Sequence, residues 1–63
     1  MKEQPREYPV EVERDGIVHS GTYTIERGII TVLYEFSVNT TQLGSMPHEV
    51  LAKILLAEIL DGA

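Results

Sequence analysis

The chain has 63 residues with a net charge of −5, 43% hydrophobic residues, no cysteine and no tryptophan. That length allows one small domain, excludes a disulfide framework, and leaves His19 and His48 too few for a structural zinc site. So few basic residues also argue against a surface built on phosphate contacts.

Residues 1–7, charged and polar around Pro5, offer nothing to pack and are expected to fray as a disordered terminus of a domain covering 1–63. Lacking an apolar leader or a long apolar run, the chain reads as cytoplasmic and independent of membranes. From Tyr8 the apolar period becomes two: Tyr8, Val10 and Val12 alternate with Pro9, Glu11 and Glu13, a half-buried strand. Asp15-Gly16 is a strong two-residue hairpin signal because both central residues of such a turn need positive φ. A second strand is predicted over 17–26, a weaker turn at Arg27-Gly28, and a third strand over 29–36.

With two-residue turns the register follows. Val12 pairs with His19, Val10 with Gly21 and Tyr8 with Tyr23; then Ile25 pairs with Ile30, Tyr23 with Val32, Gly21 with Tyr34 and His19 with Phe36. One face collects Tyr8, Val10, Val12, Ile17, Tyr23, Ile25, Ile30, Val32, Tyr34 and Phe36, because a slip of one residue would turn all of them outward. Gly21 is expected to leave room for the Tyr34 ring.

The stretch 37–44 reads as a polar connection, with Val38 and Leu43 tucked beneath a helix written between Ser45 and Gly62. Ser45 suits the N-cap, Pro47 the first turn and Gly62 the exit. Leu51, Ala52, Leu55, Leu56 and Ile59 form the face that covers the sheet. Val50, Ile54 and Ala57 form a second apolar stripe that a lone domain does not need. The predicted fold is therefore α+β, β-β-β-α, a three-stranded antiparallel meander of order 1-2-3 with the helix on one face.

Thr41-Gln42-Leu43-Gly44, followed by Pro47, Leu51-Ala52, Leu55-Leu56, Glu58 and Leu60, resembles the ending of a group of short bacterial proteins with a domain of unknown function. There a Thr-Gln-Leu-Gly loop precedes an apolar helix. The match covers about the last third of the chain, with a looser likeness in the hairpin over 21–31. It implies a bacterial origin and a compact domain, and nothing about chemistry.

No nucleophile-base pair, phosphate loop or metal-ligand spacing stands out, so neither an enzyme nor a cofactor is expected. His19 reads as a buried, hydrogen-bonded residue and His48 as an exposed one near the helix start. On the open sheet face Glu11, Ser20 and Glu35 fall in one row, with Glu13 beside them, an acidic surface suited to a basic protein partner. The third strand has neither charge nor proline over Ile29–Tyr34 to guard its edge. A homodimer is expected there, a six-stranded sheet using Ile30, Val32, Leu33, Tyr34 and Phe36, with Val50 and Ile54 meeting their copies. The functional expectation is a small, acidic, homodimeric protein-interaction module. A nucleic-acid-binding βββα domain is the alternative, disfavoured because Arg14 and Arg27 sit at opposite turns.

Overall fold

A computed structural model describes residues 6–62. It contains strands β1 (Tyr8–Arg14), β2 (Ile17–Glu26), β3 (Ile29–Tyr34) and β4 (Ser37–Gln42), then one helix, α1 (His48–Leu60). The strands form a single antiparallel meander in the order β1-β2-β3-β4, with α1 packed on one face. The α+β class, the first two hairpins and the covering helix follow the sequence expectation; the three-stranded count does not.

At both expected turns the backbone takes the left-handed conformation that a two-residue hairpin requires. Asp15 and Gly16 have φ of 55° and 79°, and Arg27 and Gly28 have 55° and 78°. The resulting register matches the derived one across β1 and β2, from Tyr8 opposite Tyr23 to Val12 opposite His19. Between β2 and β3 it also matches where the ladder exists, at Tyr23 opposite Val32 and Ile25 opposite Ile30.

The ladder from β2 to β3 stops at Thr22 opposite Leu33. β2 is therefore shared: its first half pairs with β1 and its second half with β3, the two overlapping at Thr22 and Tyr23. Gly21, just beyond the end, faces backbone. A Cβ there would lie 2.5 Å from the Leu33 carbonyl oxygen and 3.6 Å from Tyr34 Cβ. The glycine is needed for the approach of two main chains as well as for the Tyr34 side chain.

The third strand ends two residues earlier than expected because the chain reverses at Glu35-Phe36, where Glu35 adopts φ of 54° without a glycine to help. Residues 37–42, expected to be a loop, return as β4 alongside β3, pairing Tyr34 with Ser37, Val32 with Asn39 and Ile30 with Thr41. Leu43 extends the ladder by donating its N–H to the Gly28 carbonyl at 2.8 Å. As a result Phe36 lies at a hairpin tip in full solvent, and Ile17 at the same end of the sheet is also exposed. Neither joins the covered face. Val38 likewise points away from the helix, while Leu43 packs against the core as expected.

The core consists of Val10, Tyr23, Ile30 and Val32 from the sheet and Leu51, Ala52, Leu55 and Leu56 from the helix. Val12, Ile25, Tyr34 and Ile59 close its margin. The helical spacing of the four buried α1 residues is what fixes which face of the helix meets the sheet. Ser45 does not cap the helix. Pro47 occupies the N-cap position and its carbonyl accepts from Leu51 N–H at 3.1 Å, so the helix begins at His48 without a side-chain cap. A proline with φ of −57° and ψ of 140° holds extended backbone up to the first helical residue. Gly62 ends the helix as expected, with φ of 76° and its N–H on the Ile59 carbonyl.

Two polar contacts fix the helix at its flanks. On the β4 side, Asn39 donates from Nδ2 to the Leu55 carbonyl at 3.3 Å and to Glu58 Oε1 at 2.8 Å. On the β1 side, Arg14 donates to the Asp61 carboxylate and, at 3.4 Å, to the Ala57 carbonyl. The Arg14 hydrogen bond holds the Asp61 carboxyl below its ordinary range, with charge attraction adding to it and desolvation opposing. A depressed carboxylate pKa contributes stability above the unfolded-state pKa, and that contribution disappears as pH falls through the folded-state value. Asp61→Asn is accordingly expected to lower the thermal midpoint slightly at pH 7, since the pair is exposed. The difference from the parent should vanish in acid below the lowered Asp61 pKa. A gap that stayed constant with pH would show that the ion pair is not its cause.

Candidate functional site

The expected acidic row is only partly assembled. Glu11 stands opposite Ser20 and Glu13 opposite Val18 on the open face of the β1-β2 hairpin, but Glu35 belongs to the β3-β4 turn and is not in line with them. Towards β4 the same face is neutral in the row Thr24, Thr31 and Thr40 and the row Thr22, Leu33 and Val38, while the row Glu26, Ile29 and Gln42 adds a carboxylate at the far end of β2. The acidic character is densest on the β1 side.

The residues expected to join two copies through the third strand serve the chain itself. Ile30 and Val32 are 0% exposed, and β3 lies between β2 and β4. In a two-residue hairpin the flanking pair is hydrogen-bonded and alternate pairs follow, so the amides of Ile30, Val32 and Tyr34 face β4, opposite Thr41, Asn39 and Ser37. The requirement for acceptors was real, and the supplier is this chain's next strand. Phe36 is in the turn, and Leu33 faces the open side of the sheet. The six-stranded arrangement through β3 is thereby ruled out, since that strand has no free edge.

The same alternation identifies the free edges of the two outer strands, and among the described residues it leaves the half of β2 before Thr22 with an unpaired side at Val18 and Ser20. On β4 the N–H and C=O groups of Val38, Thr40 and Gln42 point away from β3, and the order of the sheet leaves them without a neighbour among the described residues. This border, Ser37-Val38-Asn39-Thr40-Thr41-Gln42, contains neither charge nor proline. On β1 the outward positions are Pro9, Glu11 and Glu13. There proline removes one donor and two carboxylates flank the rest, two of the devices that keep edges from pairing indiscriminately.

Val50 and Ile54, expected to meet their copies beside the paired strands, are 48% and 41% exposed. They lie on the β1 flank, where Glu11, Val12, Glu13, Val50, Lys53, Ile54 and Ala57 line a shallow, open groove of about 440 Å³. The helix flank near β4 instead presents Glu58 and Ile59. The spare stripe and the uncharged edge are on opposite sides of the molecule, and one two-fold contact cannot bury both.

His19 is half-buried, and its Nδ1 shares a hydrogen bond with the Tyr34 hydroxyl at 2.9 Å, the satisfied state expected of it. His48 is exposed at the start of α1. Among the described residues no group of three or more His, Asp or Glu converges as metal ligands would, and no helix is long and apolar enough to cross a membrane. The outward β4 residues Val38, Thr40 and Gln42 were missed because their strand alternates polar with polar. The one available signal was the β-favouring Val-x-Thr-Thr composition. Compared with protein-family models, curated proteins and solved structures, the chain matches none.

Proposed function

We propose that this is a small acidic protein-interaction module without catalytic activity, and that it forms a homodimer through β4. The observation that carries the reading is the β4 border, with three outward residues offering donors and acceptors and no charge or proline to discourage pairing. A second copy turned antiparallel about a two-fold axis would satisfy those groups and join two sheets into one of eight strands, both helices on the same side. With a net charge of −5 on each chain, self-association favours a border whose own strand carries no carboxylate, as β4 does not. Nucleic-acid binding has less support: Arg14 is engaged by Asp61, and Arg27 is at a turn at the other end of β2.

Thr40→Pro tests the reading, because the Thr40 amide points outward and is not used by β3. Light scattering at micromolar concentration should give twice the 7.1 kDa chain mass for the parent and the single mass, still folded, for the variant. A parent that is folded and monomeric at that concentration would contradict the dimer. A Thr40→Pro dimer would contradict the use of this edge.

A further inference from the structure

We infer that the opposite border, the groove between β1 and α1, is a docking site for an extended segment of another protein whose residues alternate between basic and apolar. The helix supplies Val50, Ile54 and Ala57, which together with Val12 make an apolar wall beside the β1 edge. The Glu11 and Glu13 side chains stand along that edge, with Lys53 lining the same groove and Glu49 beside it. Their outward N–H and C=O groups can receive one short strand, whose ladder would end at Pro9 for want of a donor.

Strand geometry then dictates the composition of the occupant. Successive side chains of an added strand point to opposite faces, so every second one would lie over Val50 and Ile54 and should be apolar. The intervening ones would stand on the open face across from Glu11 and Glu13, where Lys or Arg makes favourable cross-strand pairs. A second copy of this chain is a poor occupant, because an antiparallel β1 would bring its own Glu11 and Glu13 against these two. The site is separate from the β4 border and is left free when two copies pair there.

The test uses a capped seven-residue peptide alternating valine and lysine, with a glutamate-for-lysine counterpart as control. The parent should bind the lysine peptide at least tenfold more tightly, with slowed amide exchange at Glu11 and Glu13 and shifted methyl resonances at Val50 and Ile54. The double variant Glu11→Lys, Glu13→Lys, whose changes are at exposed positions, should reverse the preference. Repeating the titration in Thr40→Pro keeps the result independent of dimerisation. Absence of binding, protection at Val38, Thr40 and Gln42 instead, or an unreversed preference in the double variant would each overturn the assignment. So would slowed exchange at Glu11 and Glu13 in the parent without peptide, since that would mean the edge is already occupied by a second copy.

Discussion

Gly21→Val should lower the denaturant midpoint sharply, by about 1–3 kcal/mol of stability. A domain of this size has roughly 3–9 kcal/mol in total. β-propensity predicts the opposite sign, since valine favours strands and glycine does not. Geometry decides the matter. The added Cβ would lie 2.5 Å from the Leu33 carbonyl oxygen, a main-chain atom in a packed strand that has no rotamer to escape through. Gly21→Ala should show most of the same loss, because the first carbon already makes the contact. An alanine variant as stable as the parent would show that β2 and β3 separate freely beyond Thr22.

Leu56→Ala is expected to cost about 2–5 kcal/mol, enough to bring so small a domain close to unfolding. Leu56 is 0% exposed and lies with Ile30 and Val32 in the part of the core closed to solvent. Ile54→Ala, two residues earlier on the outer stripe, should stay within about 0.5 kcal/mol. Both should be measured by denaturant unfolding at one protein concentration, because dimerisation links stability to concentration. Equal losses at the two positions would mean that the outer stripe is buried in solution and that the β1 groove is not open.

How far the sequence could be read depended on how each element advertises itself. Asp15-Gly16 and Arg27-Gly28 mark their turns by residue type, and the apolar alternation on both sides fixes a register that cannot slip without exposing Val10, Ile30 and Val32. The helix face was legible for the same reason, as Leu51, Ala52, Leu55 and Leu56 recur at 3.6-residue spacing. β4 gives no such signal. Its turn has Glu35 in a conformation usually left to glycine or asparagine. Its inward residue Asn39 is polar because it is bonded to Leu55 and Glu58 on the helix.

That single hidden strand moved the candidate site. An unguarded strand edge must find acceptors; those for Ile30, Val32 and Tyr34 come from β4, and the unguarded edge shifts outward by one strand. The helix's spare stripe is surplus to the core, with Val50 and Ile54 exposed. Its side of the molecule was not legible, because helical periodicity gives the angle of a stripe about the helix axis and not which sheet edge the helix leans towards.

The most direct measurement is residue-resolved amide hydrogen exchange along β4 in the parent protein. Asn39 and Thr41 face β3 and should be protected at any concentration. Val38, Thr40 and Gln42 face outward, and the account predicts that at micromolar concentration and above they are protected to a similar degree, losing that protection on dilution. Fast exchange at those three positions, with Asn39 and Thr41 still protected throughout, would contradict the pairing of two copies through β4.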